Sequence, residues 1–262
     1  MPVTDDLALL IDAAREAGRL ATPFWKSNPE IWDKGNGAGP VTEADLAVDR
    51  YLRDRFAAER PTYGWLSEET TDTDARLTKE RVVIVDPIDG TRSFIQGDTN
   101  WAHSLAIVEH GEPIAAVVYL PLRDRLFVAT KGGGATLNGE PIHVCQCDTL
   151  DGARVLMKKG ILAAEHWQGI PPLLDHKFRP SLAYRLALVA QGRYDAMLTL
   201  RPTWEWDVAA GVLIMEEAGG VVTDRTGMHP KFNQAHPAIN GLVAGGATLS
   251  HAILERLAQQ SS

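Results

Sequence analysis

The segment Asp86-Pro87-Ile88-Asp89-Gly90-Thr91 sets two acids three positions apart in a turn-forming frame. The run leading into it, residues 81–86 (RVVIVD), is nearly all apolar and reads as a buried strand that ends in an acid. Pro87 fixes the backbone and Gly90 permits a tight turn, so the two carboxylates can converge on one point. Held together they repel each other, unless a hard cation sits between them. The Ile88 carbonyl is placed to add an oxygen ligand, and the amides of Gly90 and Thr91 to face an anion, as at a helix N-terminus. An ordinary strand-end turn is the competing reading, because Asp, Pro and Gly are all turn formers.

Three further acidic segments bear on that choice. Ser67-Glu68-Glu69 lies upstream of the strand and by itself reads as a solvated charge pair. Trp206-Asp207 opens an apolar helical run, where Asp207 alone reads as an N-cap. Thr42-Glu43-Ala44-Asp45 has the form of a capping box with Asp in the usual Glu position. Each segment alone is weak, and their joint presence is what points to a metal site.

The elements that must position these acids follow from periodicity. Apolar residues at three- and four-residue steps predict a helix over 5–22, stopped by Pro23, and a second from Thr42 to about Arg60, stopped by Pro61. Between them the Gly-rich segment 31–41 reads as a loop or hairpin turn. Strands are expected at 81–86, 102–109, 113–120, 125–130 and 134–144, the last containing an Asn138-Gly139 turn. Beyond a soft boundary near 145–155 come a helix over 181–191, a strand over 194–200, a helix over 206–218, strands at 220–224 and 241–245, and a helix over 247–259. This order implies layered sheets and helices, with an N-terminal α+β half (1–147) and a C-terminal α/β half (148–262).

Composition narrows the function. The 262 residues are 45% hydrophobic and 23% charged, ordinary for a globular protein with a sizeable core. The net charge of −8, without a basic block, argues against a nucleic-acid polymer as partner but not against small phosphorylated molecules. No apolar run approaches the ~18 residues of a membrane helix, and the acidic start lacks the basic leader of a secretory signal. Cys145 and Cys147 are too close for a good disulfide and too few for a zinc site, so a cytoplasmic location is expected. Gly132-Gly133-Gly134 lacks the lysine of a P-loop and reads as a hairpin connection. His103 and His110 read as a packing residue and a turn residue.

All four acidic segments, in this order and spacing, resemble the inositol monophosphatase superfamily of magnesium-dependent, lithium-sensitive phosphatases. The resemblance runs over nearly the whole chain. It is carried above all by Asp-Pro-Ile-Asp-Gly-Thr with Phe94 after it, and by Trp-Asp-x-Ala-Ala-Gly at 206–211. It implies a layered α/β/α/β sandwich and two or three Mg2+ ions. One would be held by Glu68, Asp86 and the Ile88 carbonyl, another by Asp86, Asp89 and Asp207. It further implies that Thr91, with Glu68 or Asp45, orients the attacking water, without a covalent nucleophile. The family occurs as monomers and as homodimers. Its loop before Val41 often carries an acid where this chain has Asn36, which implies a weaker third metal site or a more mobile loop.

The substrate is then a small phosphate ester. Inositol-specific members carry a Glu where this chain has Leu200, which cannot accept sugar hydrogen bonds. The string Leu200-Arg201-Pro202-Thr203 and Arg185 look more like the CysQ-like 3'(2'),5'-bisphosphate nucleotidase branch, so adenosine 3',5'-bisphosphate is the favoured substrate. Ser181, Arg185 and Trp204, with Gly90 and Thr91, are the candidate substrate contacts. Arg185 either grips a phosphate or lies on a solvated helix face. Trp204 and Trp206 either stack on a base or pack in the core. Histidinol phosphate, suggested by the Asp-Gly-Thr-Arg-x-Phe form at 89–94, and inositol 1-phosphate are the alternatives. A module that binds a metabolite without catalysis is a third.

Overall fold

Period-2 alternation between two buried faces builds the centre of the molecule. In the computed structural model, which describes residues 2–35 and 39–258, helices α1 (Val3–Ala21) and α2 (Glu43–Glu59) flank an antiparallel ribbon of β1 (Ile31–Asp33) and β2 (Pro40–Thr42). A seven-stranded sheet follows in chain order: β3 (Gly64–Ser67), β4 (Arg81–Asp89), β5 (Ala102–Glu109), β6 (Glu112–Leu120), β7 (Arg125–Thr130), β8 (Gly134–Leu137) and β9 (Glu140–Pro141). The pair β3–β4 is parallel and the others antiparallel. A short helix, α3 (Thr91–Ile95), leaves the end of β4.

Val83 and Val85 of β4, with Leu105 and Ile107 of β5, share one core with α1 and α2. Their neighbours Val82, Ile84, Ala106 and Val108 share the other with α4 (Leu182–Ala190) and α5 (Glu205–Glu217). Burial on both faces explains why β4 reads as a continuous apolar run. The second sheet draws on β10 (Arg154–Leu156), β11 (Asp175–Lys177), β12 (Ala196–Thr199), β14 (Val221–Thr223) and β16 (Leu242–Gly245), in the order β11-β10-β12-β16-β14. A small ribbon of β13 (Thr203–Trp204) and β15 (Ala238–Ile239) sits apart from it. Met197, Leu242 and Ala244 turn toward α4 and α5, whereas Leu198 and Val243 pack with α6 (Ala247–Arg256) on the outer face. The result is the layered α/β/α/β arrangement, with α6 covering the second sheet. Gly211 permits the close crossing of α4 and α5, since a Cβ there would lie 2.5 Å from Leu186 Cδ1.

The differences from the sequence reading are local. β4 continues to Asp89 through a bulge instead of stopping at Asp86. The 134–144 strand divides at Asn138 (φ 52°) and Gly139 (φ 87°) into β8 and β9. β3, β10 and β11, each three or four residues long, were not anticipated. The seven-stranded sheet ends at Pro141 and the second begins at Arg154, with α4 and α5 packed against both. Asn36 and residue 259 lie outside the described residues. Among those described, both cysteines are free and no helix is long and apolar enough to cross a membrane.

Candidate functional site

β4 delivers Asp86 fully buried at its C-terminal end, and the bulge before Asp89 turns the chain into α3. Gly90 makes that turn at φ 104°, and a Cβ there would come within 3.2 Å of the Asn100 carbonyl. Asp86 Oδ1 accepts from its own turn through the Ile88 N–H (2.9 Å). Carboxylate oxygens of Glu68, at the end of β3, Asp86 and Asp207 all lie within 4.8 Å of one another. The predicted turn is therefore one wall of a carboxylate cage.

Three helix N-termini are aimed at these acids. Asp45 is the third residue of α2 and accepts from Thr42 N–H (2.9 Å) and Thr42 Oγ1 (2.6 Å), completing the predicted capping box. Its other oxygen, Oδ1, lies 3.2 Å from Thr91 Oγ1, which also reaches the Ile88 carbonyl at 3.2 Å. Asp207 is likewise a third residue, of α5. It takes the backbone N–H of Trp204, the actual N-cap, so the N-cap reading of Asp207 is corrected by three positions. Asp89 Oδ2 meets the start of α4, accepting from Ser181 Oγ (2.6 Å) and Ala183 N–H (2.7 Å). Partial positive charge at each helix start offsets part of the carboxylates' mutual repulsion.

The pair Glu68-Glu69 is not a solvated pair. Lys34, carried in from the end of β1, places Nζ 2.7 Å from Glu68 and 2.6 Å from Glu69. Burial opposes its charge, yet the two glutamates raise its pKa. Lys34, Glu69 and the Thr42 hydroxyl belong to this site although none was among the predicted site residues. The sequence did show Thr42 as a cap and Glu69 as half of an acidic pair, but nothing local to Lys34 pointed to the site.

Burial dominates the electrostatics. It drives Asp86 and Asp207 well above the usual carboxylate range, with Glu68 and Asp89 adding repulsion at both. It lifts Asp45 and Asp89 to about 6 and Glu69 to about 7, although the bonds from Thr42, from Ser181 and Ala183, and from Lys34 pull the other way. The cage offers oxygen donors alone, without His or Cys among the described residues. That donor set fits a hard divalent cation, whose charge would relieve the repulsion that burial creates.

The substrate-side candidates fall around this cage. Ser181 is fully buried as the N-cap of α4 and its hydroxyl is committed to Asp89 and to Tyr184 N–H. Arg185 is only 4% exposed, which removes the solvated-face reading. Its Nε donates to the Arg179 carbonyl, and its guanidinium lies 4.5 Å over the Phe178 ring. Burial lowers its pKa to about 10, while Asp89 and Asp207 favour its charge. Trp204 is 42% exposed and stacks on Trp206 at 4.9 Å and 13°, with His236 edge-on to it. Trp206 packs against the central core, and its carbonyl accepts from Ser104 Oγ (3.0 Å), tying α5 to β5. Leu200 is buried in the outer core with α6.

The family model described as "Inositol monophosphatase family" matches residues 4–262. An inositol-1-monophosphatase of Rhizobium meliloti (strain 1021) is 35% identical, the match covering 84% of this chain and 86% of that protein. The Nus factor SuhB of Escherichia coli (strain K12) is 32% identical over 98% of this chain and 97% of its own. The solved structure of an IMPase from Thermotoga maritima superposes with a TM-score of 0.82 at 28% identity, covering 96% of each chain. The carboxylate cage thus lies in a chain that belongs to the inositol monophosphatase family.

Proposed function

We propose that this protein is a Mg2+-dependent phosphomonoesterase that hydrolyses a small phosphate ester, with a 3'(2'),5'-bisphosphonucleotide as favoured substrate. The observation that carries the first half is the cage itself, with Glu68, Asp86 and Asp207 oxygens within 4.8 Å of one another. Glu68, Asp86, Asp89, Asp207 and the Ile88 carbonyl would hold the metal. When bound, Mg2+ supplies charge neutralisation for the phosphoryl group and a water of lowered pKa. The chain's own part is orientation. Thr91 Oγ1, shared between Asp45 and the Ile88 carbonyl, lines up the water, and Asp45 is the nearby acceptor for its proton. The Gly90 and Thr91 amides, at the start of α3, would bind phosphate oxygens without adding side-chain charge.

Two features support a substrate with a second anionic group and a planar ring. Lys158 and Arg201 follow the C-terminal ends of the adjacent parallel strands β10 and β12. The charges that bear on Lys158 are those of Arg201, Arg185 and Arg92, all cations, and they lower its pKa. Such a group favours an anion. Trp204 offers a partly exposed aromatic face beside Asp207. The competing reading, inositol 1-phosphate, is favoured by the activity named for the Rhizobium meliloti relative.

Phosphate release should be measured with Mg2+ on adenosine 3',5'-bisphosphate, inositol 1-phosphate, histidinol phosphate and fructose 1,6-bisphosphate, with and without Li+. The bisphosphonucleotide should show the highest kcat/KM. A preference for inositol or histidinol phosphate would overturn the substrate but leave the chemistry. No release from any of them would favour a non-catalytic binding module.

A further inference from the structure

The turn that carries Asp86, Ile88 and Asp89 is one residue longer than the strand it faces. Asp86 pairs with Ser104 and Asp89 with Ala102, so Pro87 and Ile88 together oppose His103 alone. A bulge of this kind re-aims side chains but takes backbone groups out of the sheet ladder. Here the Pro87 carbonyl and the Ile88 N–H are the two ends of one planar peptide group. Each is held by a side chain: His103 Nδ1 bonds the Pro87 carbonyl, and the Ile88 N–H donates to Asp86 Oδ1 at 2.9 Å. Rotation of that plane would carry the Ile88 N–H away from the Asp86 carboxylate and leave Oδ1 without it.

We propose that His103 is a positioning residue for the metal centre, clamping the Pro87–Ile88 peptide plane and so setting the aim of the Asp86 carboxylate. The inference rests on the metal-dependent reading above. The ring is fully buried, edge-on to Trp101 at 5.4 Å and tilted against Tyr119 at 6.4 Å, so it has little freedom to turn. Its Nε2 has no hydrogen-bond partner among the described residues. A neutral ring with its proton on Nδ1 therefore satisfies the carbonyl, whereas a second proton on Nε2 would be orphaned. Burial keeps the ring neutral, with its pKa lowered to about 4.

The test measures Mg2+ affinity by isothermal titration on the full chain, with thermal unfolding and kcat at saturating Mg2+ recorded alongside. Variants are His103→Leu, which lacks a donor, and His103→Asn, whose amide nitrogen sits where Nδ1 does. The Leu variant should bind Mg2+ about 10-fold more weakly, and the Asn variant should recover to within roughly 3-fold of wild type. Loss of packing alone would lower the stability of both without separating their Mg2+ affinities. Equal affinity in all three chains overturns the positioning role and leaves the metal reading intact, whereas a wild-type chain that binds no Mg2+ overturns that reading itself. If the Leu variant does not fold, His103→Gln replaces it. Its amide reaches the Nε2 position, so it must bind more weakly than Asn, and equal affinity again overturns the proposal.

Discussion

Asp89 keeps its place through hydrogen bonds that do not require its charge. Ser181 Oγ and the Ala183 N–H both donate to Oδ2, and the carbonyl oxygen of an asparagine can accept from both, though more weakly. Asp89→Asn should therefore fold normally and lose Mg2+-dependent turnover by on the order of 100-fold or more. Steady-state rates across a Mg2+ series check this, and unchanged turnover would remove Asp89 from the metal site. Ser181→Ala removes one of the two bonds and should weaken Mg2+ affinity by about 10-fold, with little change in kcat once metal saturates. At this scale the convergence of Asp86 and Asp89 was legible because it is local: a strand, a proline, two acids and a glycine specify a turn, whereas Glu68 and Asp207 read alone as a solvated charge and a cap. Lys34 and Glu69 were not legible, because a contact across 35 positions depends on how β1 and β3 are brought together. Ser181 could be read as an N-cap, but nothing nearby in sequence says that its hydroxyl meets an acid 92 positions away.

The elements that matter most are the helix starts. Helices α2, α4 and α5 each bring an N-terminus to one of the acids, so capping and the geometry of the carboxylate cage use the same bonds. Thr42 shows the coupling: its hydroxyl accepts from Ala44 N–H and donates to Asp45, whose other oxygen meets Thr91. Thr42→Ala should cost about 1 kcal/mol, a fall in Tm of about 2–4 °C. Because Asp45 also loses a partner, kcat should fall at saturating Mg2+ even at temperatures where the variant is fully folded. An intact kcat would confine Thr42 to capping. The long helices and strands were legible, since many residues repeat the period that buries one face. β10 and β11, with three residues each, hold too little pattern to show a period, and pairing with β12 is what makes them strands.

For the molecule as a whole, the buried acids make stability depend jointly on pH and on metal. Asp45, Glu69, Asp86, Asp89, Glu205 and Asp207 all have pKa values raised by burial, to about 6 for Asp45 and Asp89 and about 7 for Glu69 and Glu205. The native chain therefore holds more protons than the unfolded chain from about pH 4 upward. Their stabilising effect is complete below the unfolded pKa values and is lost as pH rises through the folded ones. His103 works in the opposite sense below about pH 6.5, because folding depresses its pKa, but it is one group against six. Asp72, Asp98, Asp195 and Glu112, whose pKa values are lowered, contribute stability that is lost only in more acidic solution, outside this window. The Tm of the metal-free protein should accordingly fall between pH 5 and pH 8. A bound divalent cation replaces the missing protons, so added Mg2+ should raise Tm more at pH 8 than at pH 5. Glu205 lies outside the cage, accepting from the Asn233 and Gln234 N–H groups. Glu205→Gln should thus flatten the metal-free slope while leaving the Mg2+ increment as it was. Scanning fluorimetry over pH 5–8, with chelator and with Mg2+, measures all of these. An increment independent of pH would mean that the metal does not bind at the buried carboxylates.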